Sequence, residues 1–138
     1  MTTIEMIIVA SPLLASVGAG IAAMLMDAFV SRRAAVIVAS VLLVGAAGLS
    51  VWQSFAPAAA IRESFLAGGI VSSVWAVISL TAALSLFGGL SDLSSRKGGG
   101  GVAALIALAT AASMLLAASF DLVMTLIALE TIAVCCYA

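Results

Sequence analysis

The chain contains no histidine, and of its 138 residues only five are Lys or Arg and six are Asp or Glu. Without histidine it has no imidazole to act as a general base or metal ligand near neutral pH. The two cysteines, Cys135 and Cys136, are adjacent. That is not the spacing of a zinc site or a C-x-x-C redox pair, and free Cys more often behaves as a small apolar packing residue. No pair of buried carboxylates is visible either, so nothing supports a hydrolytic site, a metal or a haem. The basic residues form no patch and the net charge is −1, which excludes a nucleic-acid partner. A phosphate-binding loop needs its Lys after the glycines, whereas Lys97 precedes the run Gly98–Gly101. That run reads as a linker. The first residues carry Glu5 and no basic group, unlike the positive start of a signal peptide, so the first apolar segment is expected to be retained.

What is present is hydrophobicity. Hydrophobic residues make up 65% of the chain and charged ones 8%, with a mean hydropathy of +1.38. Charge-free runs cover 6–26, 34–61, 64–91 and 98–120, each longer than the roughly 18 residues that mark a spanning helix. A further apolar segment follows Asp121. The expected architecture is therefore all-α and polytopic, a single membrane domain with five helices near 6–29, 34–55, 66–90, 102–118 and 122–138. Pro12 falls in the first turns of the first helix, where it removes a backbone donor. The Ala15, Ala19, Ala23 stripe has the small-xxx-small spacing that lets helix backbones approach in lipid. Ala103, Ala107 and Ala111 form one such stripe in the fourth helix, and Ala109, Ser113 and Ala117 another. Trp52 stands where an interfacial anchor would. Arg62 and Glu63 read as a solvated pair in the second loop.

Loop 91–101, SDLSSRKGGGG, is the one polar stretch and is expected to be flexible. Arg32, Arg33, Arg96 and Lys97 lie in the first and third loops, against Arg62 alone in the second. Positive loops stay inside, so 30–33 and 91–101 are expected on the cytoplasmic side and the N-terminus on the outer side.

Glu130 is the residue that composition does not explain. It lies nine residues past Asp121, about 13 Å into the last helix at 1.5 Å per residue. That is near the middle of a hydrocarbon core about 30 Å thick. Insertion scales put a charge there at about 2.5–3.5 kcal/mol, and an ionisable group at that depth is a functional candidate by default. Desolvation favours its neutral form and a nearby cation its charged form, so a moving partner would let it take up and release a proton. Asp121 reads as a helix cap, a job Ser119 could also do. Thr125 and Thr131 are weaker candidates for interhelical hydrogen bonds or a water chain, since threonine often bonds back into its own helix.

The run Met114 to Leu122, with Leu129-Glu130 and Tyr137, resembles the fourth and fifth helices of the antiporter-like proton-translocating subunits of respiratory complex I. Pro12-Leu13-Leu14, Met24 to Asp27 and Arg32-Arg33 add to the likeness. The resemblance implies an N-terminal part of a fold of about fourteen helices, in a multi-pass cell inner-membrane protein with a periplasmic N-terminus. It implies a subunit of a NADH-quinone oxidoreductase whose partners are other membrane-arm subunits and the lipid bilayer. Glu130 takes the place of the helix-five glutamate, which pairs with a lysine on a later helix and takes part in proton passage. No cofactor is expected in this chain; NADH, FMN, iron–sulfur clusters and quinone belong to other subunits. Lys97, the only lysine, lies in a loop, so Glu130 is expected to point away from lipid and into the protein interior, toward water or a basic residue outside these 138. The alternatives are a subunit of a multi-subunit Na+/H+ antiporter or membrane-bound hydrogenase, a structural subunit without transport, and a small self-contained transporter.

Overall fold

The computed structural model describes residues 3–55, 59–61, 65–67 and 69–138. Helix α1 spans Thr3–Phe29, α2 Arg32–Ser54, α3 Gly69–Gly88, α4 Leu90–Ser95, α5 Gly99–Ala118 and α6 Leu122–Tyr137. Between α2 and α3 a small antiparallel hairpin pairs β1 (Ala59–Ile61) with β2 (Phe65–Ala67), Ala60 opposite Leu66. Four helices, Ile7–Phe29 within α1, α2, α3 and α5, are long and apolar enough to cross a membrane. The chain is a helical membrane protein. The sixteen residues of α6 reach about 24 Å at 1.5 Å per residue, short of a core about 30 Å thick, so it is an apolar helix below spanning length.

Local chemistry explains the joints. Ser31, extended at φ −166°, caps α2, its hydroxyl accepting from the Ala34 N–H at 3.2 Å. Pro12 leaves the Ile8 carbonyl without its usual helical donor. That oxygen is served instead by the Ser11 hydroxyl at 2.7 Å and, from α2, by Gln53 Nε2 at 2.6 Å. The proline therefore ties α1 to α2 instead of ending α1.

Two expectations are corrected. Residues 65–67 lie in a strand and α3 starts only at Gly69, whose φ of +54° suits glycine. The region 91–101 is largely helical: α4 runs to Ser95, and α5 begins at Gly99 after a left-handed Gly98 with φ +85°. Gly99 and Gly100 are buried, and the reason is close approach. A Cβ on Gly99 would overlap the Leu93 backbone, and one on Gly100 the Asp27 carboxyl. Those glycines are packing residues, not a flexible linker. The Arg62–Glu63 pair lies outside the described residues.

The core is made of small side chains. Ala19 and Ala23 of α1 meet Ala35, Val36, Ala39 and Leu43 of α2, Ala83 and Leu86 of α3, and Ala103, Ala104 and Ala107 of α5. In lipid, such contacts gain from backbone proximity because no hydrophobic force drives helices together. Of the two stripes on α5, Ala103, Ala107 and Ala111 are buried, while Ala109 and Ser113 are half-buried and Ala117 is exposed. Buried hydroxyls give no loose ends: Ser40, Ser50, Ser79 and Thr110 each donate to a carbonyl one turn back. A second cluster joins Trp75 of α3 to Met114 and Ala118 of α5.

Candidate functional site

The turn from α5 into α6 is built from hydroxyls and one carboxylate. Ser119 Oγ donates to the Leu116 carbonyl at 2.9 Å and lies 3.0 Å from Thr125 Oγ1. Thr125 Oγ1 also donates to the Asp121 carbonyl at 3.0 Å. The two hydroxyl protons serve both carbonyls, so the Ser119–Thr125 contact has none of its own while those bonds stand. This arrangement locks the turn. Asp121, extended at φ −106°, accepts from the Val123 N–H at 3.3 Å and caps α6. Thr131 donates to Ile127 at 2.8 Å within its own helix.

Glu130 stands apart from this network. Only Ala128 of α6 is buried, and α6 packs mainly on α5. Two residues on, about 200° around the helix, Glu130 points away from that contact and is exposed. It forms no hydrogen bond or ion pair among the described residues. Its neighbours one turn away are Leu126, Ile127, Ala133 and Val134, and all but the half-buried Ala133 are exposed as well. The carboxylate thus sits on an apolar face that this chain leaves uncovered, and not in the interior of the bundle as expected from the sequence, because the packed side of α6 is the opposite one, at Ala128. The structure does not bring Glu130 together with Asp121, Thr125 or Thr131. Cys135 is half-buried and Cys136 exposed, both as free thiols.

Three polar links carry weight that their sequence context does not announce. Gln53, the only side-chain amide in the chain, bridges α2 to α1 through Ile8 and through Ser11 Oγ at 3.3 Å. Trp75, fully buried, donates its indole N–H to the Met114 carbonyl at 2.7 Å, fixing α3 to α5. Ser16 reaches the Met114 sulfur at 3.5 Å from α1. Among the described residues no three His, Cys, Asp or Glu side chains come together as a metal site would require. No protein-family model, no curated protein and no solved structure matches the chain.

Proposed function

We propose that this chain works within a proton-translocating membrane assembly of the complex I type, with Glu130 as its proton-relay carboxylate. The observation that carries the reading is one carboxylate standing on the uncovered apolar face of α6. A lone charge in such surroundings is costly, so a cation or water supplied by a neighbouring subunit would be what holds it. Exchange between the neutral and charged forms as that neighbour moves is a proton relay. The motif around Leu129-Glu130 supports the same role by its likeness to the antiporter-like subunits, and the N-terminal run is most like subunit N of NADH-quinone oxidoreductase. On this reading the protein sits in the cell inner membrane with its N-terminus outside. NADH, FMN, iron–sulfur clusters and quinone then belong to its partners.

The test is Glu130→Gln in the intact complex, in sealed vesicles. Electron transfer and proton pumping are followed together, with assembly checked on native gels. The expected result is a fall in pumping of tenfold or more in an assembled complex. Unchanged pumping would overturn the reading and favour a structural subunit, for which the close-packed alanine core is the supporting observation. Retained exchange of Na+ for protons, without any electron donor, would favour the multi-subunit antiporters. Copurifying hydrogenase activity would favour the membrane-bound hydrogenases.

A further inference from the structure

Where α1 ends and α2 begins, the protein holds a polar cavity that the proton relay does not use. Its volume is about 430 Å3 and its walls are Asp27, Ser31, Arg32, Arg33 and Ser94. It is an open cleft, and Ser31, Arg32 and Arg33 on its walls are exposed. Among the described residues the one ion pair joins Arg96 to Asp92, so both cavity guanidiniums and the Asp27 carboxylate are unspent. Asp27 lies tight against the bare Cα of Gly100, in the first turn of α5, where unpaired N–H groups favour a negative charge. The Ser31 hydroxyl accepts from Ala34 and keeps its own proton to give. The Ser94 hydroxyl donates to Ser91 at 3.1 Å and keeps its lone pairs.

The depth of the cavity identifies its surroundings. The apolar span Ile7–Phe29 has 23 residues, about 34 Å at 1.5 Å per residue, so its ends reach the headgroup layer of a core about 30 Å thick. Phe29 and Val30, both exposed, stand next to the cavity residues in sequence as apolar contacts for acyl chains. The walls therefore offer two cations and a hydroxyl proton together with one anion and a hydroxyl acceptor, at the membrane surface. We propose that this cavity binds the headgroup of a phosphatidylethanolamine-type lipid. Arg32, Arg33 and the Ser31 hydroxyl would take the phosphodiester, and Asp27 and Ser94 Oγ the primary ammonium. A headgroup of anionic charge alone would leave Asp27 opposing it. A choline headgroup has no N–H to give Asp27.

The test uses the whole protein, extracted in mild detergent and supplied with equal amounts of phosphatidylethanolamine, phosphatidylglycerol and phosphatidylcholine. Bound lipid is counted by native mass spectrometry. Phosphatidylethanolamine should be retained at least threefold over the other two. The Arg32→Gln/Arg33→Gln double variant should lose that retention. Asp27→Asn should bring phosphatidylethanolamine down to the level of phosphatidylglycerol. Arg96→Gln, outside the cavity, should change nothing, and circular dichroism should show full helix content in every variant scored. Equal retention of the three lipids, preference for phosphatidylglycerol, or indifference to the arginine changes would overturn the proposal. Retention of glycerophosphoethanolamine as strongly as the whole lipid at equal concentration would also overturn it, by assigning the site to a soluble phosphodiester. None of these outcomes bears on Glu130, so the two proposals fail separately.

Discussion

At the scale of single residues, the exchange between Pro12 and Gln53 is the clearest piece of chemistry. A proline withdraws a donor from the Ile8 carbonyl, and an amide on the next helix supplies one. Gln53→Ala should therefore cost about 0.5–1.5 kcal/mol, the net range for one hydrogen bond, since the Ser11 hydroxyl still serves the exposed Ile8 carbonyl. In the Pro12→Ala background the N–H returns and the same change should cost less. A double-mutant cycle on thermal unfolding in detergent measures the difference, and equal costs in both backgrounds would refute the link. Gly100→Ala should destabilise by about 1–3 kcal/mol, since the added methyl needs the volume of the Asp27 carboxyl. Gly18, with open space around it, is the control: Gly18→Ala should be neutral or stabilising. Of these residues the sequence announced little. Asp121 was readable as a cap because a carboxylate before an apolar run has a local job. The role of Gly99 and Gly100 was not, because a glycine chosen for close approach looks the same in one dimension as a glycine chosen for flexibility.

Among the elements, α6 is the least secured. It buries Ala128 alone and rests mainly on α5, whereas α5 buries ten residues against several neighbours. Amide exchange in the separate chain should therefore run faster across 123–136 than across 103–116, by at least tenfold. Comparable protection in both would mean that α6 has contacts not seen in this chain. The apolar runs placed the four long helices well, because a stretch without charge that exceeds the bilayer's thickness has few other uses. The hairpin and α4 escaped them, being too short to leave a periodic trace. The face of α6 that carries Glu130 escaped for a different reason. That helix is apolar on every other side, so periodicity could not tell its packed face from its open one.

For the molecule as a whole, six of the eleven charged residues gather at one end. Asp27, Arg32, Arg33, Asp92, Arg96 and Lys97 gather where α1 meets α2 and α4 meets α5, with a net charge of +2 from four cations and two anions. The shared cavity of Asp27, Arg32, Arg33 and Ser94 puts the first and third connections on one side. Cysteines introduced at Ser31 and at Ser95 should thus react from the same face of sealed vesicles, once Cys135 and Cys136 are replaced by serine. Labelling from opposite faces would contradict the bundle itself. On the proposed topology that face is the cytoplasmic one, as the positive-inside rule would have it.

The alanine interior has a thermodynamic consequence. Alanine has no side-chain rotamers to freeze, so ordering this core costs little side-chain entropy compared with a core of leucine and methionine. It also leaves no adjustable side chain between the backbones. A larger residue at Ala39 or Ala103 could not be absorbed by a local rotamer change and would have to move a whole helix. In this bundle, helix spacing is a property of the main chain, and displacing one helix displaces its neighbours with it.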